Sequence, residues 1–211
     1  MVVGFFTLLS LGVWQIQRLQ WKKDLVETIH HSAYGKPLAL TEAMSQKTQD
    51  ILFHTIALTG ILDDEVFYVI GRTNEGKQGY HAVVALRMEK GPWVLLNMGW
   101  TPHKTFPMQW KNREITVRGH IRVDEKKWFT PNHHLEKKEL GFVDIRAFKA
   151  SLAPFYVAVT FCSVPLPTVT LFPLFPALPN KHFSYAITWF LLAISWGVLM
   201  GYFYRKNWLR G

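Results

Sequence analysis

Two apolar stretches bracket the chain, Met1 to Ile16 and Phe183 to Phe203, and this placement restricts the fold more than any other feature. If both cross a bilayer as helices, everything between them lies on one side of it. The second stretch offers 21 residues without a charge, enough at about 1.5 Å per residue for the roughly 30 Å of a hydrocarbon core. The first has 16 residues before Gln17, slightly short, with Trp14 placed for the interface and room for a few more residues upstream. A cleaved signal peptide fits poorly, because Met1 to Phe6 lacks charge and Trp14 to Arg18 is bulky where a small-residue cleavage site belongs. An Arg- and Ser-rich presequence is also absent, which favours a bacterial inner membrane over a mitochondrial one.

Basic residues orient the spans. The chain closes on Tyr204-Arg205-Lys206-Asn207-Trp208-Leu209-Arg210-Gly211, whereas Lys181 is the only basic residue in the thirty positions before the second span, so the C-terminus is expected in the cytoplasm. The expected organisation is a first transmembrane helix over 1–16, a periplasmic domain over 17–181, a second helix over 182–204 and a cytoplasmic tail over 205–211. Arg18, Lys22 and Lys23 then lie on the outer side against the sorting rule, and anionic partners would give them a local reason.

The net charge of +9 would suggest nucleic acid for a soluble chain, but no nucleic-acid motif is present and membrane lipids are the simpler partner. Cys162 is the one cysteine, so neither an intramolecular disulfide nor a CxxC site can form.

The central segment, 51–163, reads as mainly β. Ile115 to Asp124 alternates, with Ile115, Val117, Gly119, Ile121 and Val123 toward a core and Thr116, Arg118, His120, Arg122 and Asp124 toward water. Further strands are expected at Phe53 to Leu62, Val66 to Gly71, Tyr80 to Met88, Trp93 to Trp100 and Phe155 to Ser163, with turns at Asn74-Glu75-Gly76 and Lys90-Gly91-Pro92. Close spacing of the strands predicts an antiparallel meander or small barrel. Helix is expected over 17–30, continuing the first span, and over Asp144 to Leu152. The fold class is thus a membrane protein with two transmembrane helices flanking a mainly β (α+β) extracytoplasmic domain.

From Ala150 to Asn180 there is no charge, yet Pro154, Pro165, Pro167, Pro173, Pro176 and Pro179 forbid a third spanning helix. The stretch 164–181 reads as an apolar, proline-rich linker lying on the bilayer or packed under the domain. In the second span Ala193, Gly197 and Gly201 form a small-residue stripe that lets another helix approach.

Candidate chemistry gathers where the spans meet the outer surface. Trp14, Gln15, Arg18, Trp21 and Lys22 end the first stretch, and His182, Tyr185 and Trp189 open the second. His30-His31 and His133-His134 have no third ligand at a recognisable metal spacing, and Asp63-Asp64-Glu65 reads as an acidic turn. No nucleophile elbow or phosphate loop is visible, so nothing argues for an enzyme.

Several motifs carry a resemblance. Leu11-Gly12-Val13-Trp14-Gln15-Ile16-Gln17-Arg18-Leu19-Gln20-Trp21-Lys22, Gly79-Tyr80-His81, Asn97-Met98-Gly99-Trp100, Pro131-Asn132 and His182-Phe183-Ser184-Tyr185-Ala186-Ile187-Thr188-Trp189-Phe190 together resemble the SURF1/Shy1 family, from the first span to the second. The family usually has Asn-Arg-Gly-Trp where this chain has Asn97-Met98-Gly99-Trp100. The resemblance implies an assembly factor for cytochrome c oxidase, a haem-copper terminal oxidase, that binds haem a and presents it to the catalytic subunit. It implies His182 as the ligand to the haem iron. Haem a synthase is a further expected partner.

The residues supply what a haem needs: an imidazole in His182, an apolar face in Tyr185 and Trp189 with Trp14, Gln15 and Trp21 nearby, and cations for propionates in Arg18 and Lys22. Interface histidines and tryptophans also serve as plain anchors, and lipid phosphates would equally satisfy Arg18 and Lys22. Two other functions therefore stand beside a haem chaperone: a cofactor-free scaffold stabilising oxidase assembly intermediates, and a membrane-anchored sensor.

Overall fold

The structure, a computed structural model, describes residues 2–110, 113–123, 126, 128, 130–148, 151–174 and 181–208. The chain divides into two compact units, Met1–Thr28 with Ala177–Gly211, and Ile29–Pro176.

The larger unit is mostly β. It holds the end of α1 (Val2–Tyr34), a short α2 (Leu40–Ser45) and six strands: β1 (Thr55–Asn74), β2 (Lys77–Arg87), β3 (Trp93–Thr101), β4 (Glu114–Arg122), β5 (Glu139–Leu140) and β6 (Leu152–Cys162). The sheet order is β2-β3-β6-β4-β1-β5, and β1 also pairs with β2. The length of β1 allows this: Thr55 to Ile61 pair with β4, and Ile61 to Asn74 pair with β2. The sheet therefore curls until one strand serves both margins. It is not a clear barrel, and a simple meander is also excluded. β6 inserts between β3 and β4, and the β3–β6 and β1–β5 pairs are parallel.

The bend in β1 lies at the acidic run. Leu62 pairs with Leu86 and Val66 with Val84, so the intervening Asp63-Asp64-Glu65 is absorbed in a bulge rather than the expected turn. Two expected strands are thereby one. The turn after β1 is as expected: Asn74 pairs with Lys77, and Glu75 and Gly76 both adopt positive φ, which suits a tight hairpin.

Alternation on β1, β2, β3, β4 and β6 drives one main core. Ile56, Leu58, Val84, Leu86, Leu96, Met98, Ile115, Val117, Phe155 and Val157 belong to it, with Ile51 and Ala43 closing one side. A second cluster covers the opposite face of part of the sheet through Phe67, Val69, Val83, Leu95, Leu140, Val143 and Tyr156. Phe155 is the largest fully buried side chain. Phe155→Ala is expected to lower unfolding stability by about 3–5 kcal/mol, read as a shift of the denaturant midpoint at unchanged slope.

Three sequence expectations are corrected in this unit. His120 is buried, not wet, because Thr55 and the Leu174 carbonyl cover it: its Nε2 lies 2.7 Å from Leu174 O and its Nδ1 3.4 Å from Thr55 Oγ1. Thr55 in turn donates to the Ala33 carbonyl at the end of α1. The helix expected over Asp144 to Leu152 is a single 3-10 turn, Ile145–Ala147, capped by the Asp144 carboxylate accepting from Arg146 N–H, and Leu152 already starts β6. Val123 is exposed beyond the end of β4, and Asp124 lies outside the described residues.

The proline-rich segment packs on the domain as far as Leu174. Val169 is buried, Leu166 and Leu171 lie against the main core, and Thr170 exchanges two backbone hydrogen bonds with Trp100, at 2.9 and 2.7 Å. The remainder, 175–180, lies outside the described residues.

Candidate functional site

The smaller unit is built from most of α1 and from α3 (His182–Trp208). Along α1, Phe5, Leu8, Gly12, Gln15, Leu19 and Lys22 are at least half-buried, whereas Phe6, Ser10, Val13, Trp14, Gln17 and Arg18 are exposed. Steps of three and four define a seam of the kind that packs against a second helix. On α3 the matching seam is His182, Ala186, Trp189, Ala193 and Gly197. A Cβ on Gly12 would stand 2.6 Å from the Phe190 ring, Gly4 lies against Trp196, and Gly197 lies 3.4 Å from Phe5 by the same measure. These pairings run in opposite chain directions, so the helices are antiparallel. Ala193 and Gly197 of the expected small-residue stripe thus face α1, while Gly201 has open space beside it.

Among the described residues one helix is long and apolar enough to cross a membrane, His182–Lys206. Its flanks are exposed apolar side chains such as Leu191, Ile194, Val198 and Tyr202, the surface a lipid-facing helix presents. By the same test α1 does not qualify; its apolar residues give way to Gln15, Gln17 and Arg18.

At the polar end of the seam His182 Nδ1 lies 2.8 Å from Gln15 Oε1. An amide oxygen can only accept, so the imidazole donates through Nδ1–H, and the ring's electron pair in the neutral form is on Nε2. A metal-binding histidine commonly has this arrangement, with one nitrogen held by an oxygen acceptor and the other directed to the metal. The donor set fits a haem iron.

The other candidates separate into two groups. Gln15, Lys22, His182 and Trp189 belong to the seam, whereas Trp14, Arg18, Trp21 and Tyr185 stand on exposed faces. Tyr185 was expected beside His182 and Trp189, but it is 55% exposed and Ala186 takes the inner position, because a small residue there admits α1. Arg18 stacks its guanidinium 4.3 Å over the Trp21 ring, so these two form a unit on the outer side. Gly12 and Ala186 set the close approach of the helices, and their only mark in the sequence is their place inside the two terminal motifs.

The remaining histidine pairs lie elsewhere. His30 stacks on Tyr34 at 4.3 Å, and His133 accepts from Gly141 N–H through Nδ1 with Nε2 3.5 Å from Asp144. Among the described residues no group of three or more potential ligands could hold a metal ion.

A model of the SURF1 family matches residues 2–194. The chain belongs to the SURF1 family. This SURF1-family protein is 26% identical over 230 residues to Surfeit locus protein 1 of Gallus gallus, covering 95% of this chain and 72% of the relative. It is 26% identical over 222 residues to a SURF1-like protein of Rickettsia felis, covering 98% and 95%. Human Surfeit locus protein 1 is 22% identical over 236 residues, covering 97% and 75%. Both terminal motifs fall within the matched range, so the Gln15–His182 pair is part of what the family match spans.

Proposed function

We propose that this SURF1-family protein binds haem a through His182 and assists its insertion into the catalytic subunit of a haem-copper oxidase. The observation that carries the reading is the Gln15–His182 hydrogen bond, which orients an imidazole where two helices meet and fixes its proton on the nitrogen away from the metal. When bound, the haem supplies an iron centre that accepts an imidazole nitrogen and a flat apolar surface. Exposed Phe183 and Tyr185 follow His182 on α3, exposed Trp14 and Trp21 flank Gln15 on α1, and these offer ring faces, while Lys22 on the seam offers a cation to a propionate. The role is that of a carrier rather than a catalyst.

The reading includes a bacterial inner-membrane location with both helices spanning and the β domain periplasmic; the Rickettsia relatives support the bacterial origin, and the apolar α3 supports membrane association. The outer-side Arg18, Lys22 and Lys23 then meet lipid phosphates or propionates. The alternative, a scaffold without cofactor, differs at one measurement. The full chain purified from cells that make haem a should carry a haem absorption spectrum in stoichiometric amount. Colourless protein from such cells would favour the scaffold.

A further inference from the structure

Three buried side-chain nitrogens lack a hydrogen-bond partner among the described residues: His54 Nδ1, Arg72 Nε and Trp100 Nε1. Two of them share one place. Arg72 pairs with Gly79 across β1 and β2, and His81 pairs with Trp100 across β2 and β3. Gly79 and His81 are two apart on one strand, so all four residues stand on the same face of the sheet. Glycine at 79 makes the room: a Cβ there would lie 2.6 Å from Trp100 Nε1, so the indole lies across the backbone position that Arg72 faces.

The side-chain acceptors beside them are already engaged. Gly99 N–H donates to Asn97 Oδ1 at 3.3 Å, which turns the Asn97 amide nitrogen toward His81 Nδ1 at 3.4 Å. His81 Nδ1 therefore accepts, and the neutral ring carries its proton on Nε2. Among the described residues the ion pairs of this domain run from Lys104 to Glu139, from Lys138 to Glu65, and from His133 and Arg146 to Asp144, and none includes Arg72. An arginine Nε–H and an indole N–H withdrawn from water without an acceptor are unfavourable, and both of these unpaired groups are donors. Arg72, His81 and Trp100 are each only partly covered, so the patch opens to solvent.

We propose that this patch is a binding site for an oxyanion, a carboxylate or phosphate group that accepts from Arg72 and from the Trp100 indole beside His81. An anionic oxygen has the acceptor-only character that the patch lacks, and arginine suits carboxylate and phosphate geometry alike. The site involves none of the residues assigned to haem, and stands or falls apart from that reading.

Thermal unfolding of the full chain in detergent tests it, in chloride alone and with inorganic phosphate or acetate at matched ionic strength. The wild-type midpoint should rise by several degrees with one or both anions at tens of millimolar. The more effective anion at equal concentration identifies phosphate or carboxylate as the ligand class. Arg72→Gln should lose this response and, with the uncompensated cation gone, unfold at a higher temperature than wild type in chloride. Trp100→Phe keeps a ring and removes the donor, so it should need about tenfold more anion for the same shift, and it carries the test if Arg72→Gln does not fold. A wild-type midpoint unmoved by either anion, or an equal response in the variants, overturns the site.

Discussion

His182→Ala is expected to strip the purified full chain of its haem absorption while leaving the helix pair in place. Apart from the Gln15–His182 hydrogen bond, α1 packs on α3 through Gly12 under Phe190, Gly4 against Trp196 and Gly197 against Phe5, which lie further along the seam from the imidazole. Helical circular dichroism should therefore stay at the wild-type level as the colour is lost. Gln15→Leu makes the sharper test, because it touches no metal. Loss of the acceptor 2.8 Å from His182 Nδ1 frees the ring to rotate and lowers its basicity, which costs about 10- to 100-fold in affinity at metal sites. Haem retained equally by wild type and both variants would remove His182 as the ligand.

The second large effect is on stability, at Gly99. Its φ of 106° is a conformation that side-chain-bearing residues rarely adopt, and an added Cβ would stand 2.2 Å from Thr170 O. Gly99→Val should push the 164–174 segment off β3 and break the two Trp100–Thr170 hydrogen bonds. Backbone strain, a clash and lost hydrogen bonds together set an expected cost above about 3 kcal/mol. Amide exchange at Thr170 should become fast in the variant before the rest of the sheet loses protection. Protection unchanged at Thr170 would show that the segment is held by something other than this contact.

Acid should weaken the domain through His81. Burial and the Arg72 charge lower its pKa to about 4, so the folded state favours the neutral ring. The unfolded chain takes up the proton near the ordinary histidine value of about 6.5. Above that pH the ring is neutral in both states; as pH drops toward 4 the unfolded chain gains a proton that the folded one does not, and the loss of stability reaches about 3 kcal/mol. His81→Gln should flatten the decline in unfolding midpoint over that window. His120, lowered mainly by burial, contributes a residual slope of the same sign.

Much of the β domain was legible because its strands bury one face in steps of two. Ile115, Val117 and Ile121 show this directly, and the turn at Glu75-Gly76 carries its own conformational signature. His120 escaped the rule because its cover comes from Thr55 and Leu174, far apart in the chain from it and from each other. Asp63-Asp64-Glu65 looked like a turn because charge and turn chemistry coincide locally; only the pairing of β1 with two partners reveals a bulge. Ile145, Phe148 and Leu152 recur at helical spacing, yet Leu152 pairs with Trp93 in the sheet, and that long-range pairing outweighs local periodicity.

At the helix pair, the two sets of residues were readable but not their division. Helical spacing alone places positions 182, 185 and 189 on one side. Which part of that side turns inward depends on where the partner helix can come closest, and Ala186 and Gly12 decide it in favour of His182 and Trp189.

The insertion of β6 between β3 and β4 also orders events during synthesis. Until the ribosome has made Leu152 to Cys162, β3 and β4 each keep one unpaired margin, and a half-made sheet with open margins invites pairing with the wrong chain. Closure must join residues far apart in sequence, a topology that folds slowly. A nascent chain halted before residue 152 should need a holding chaperone, whereas one released after residue 162 should not.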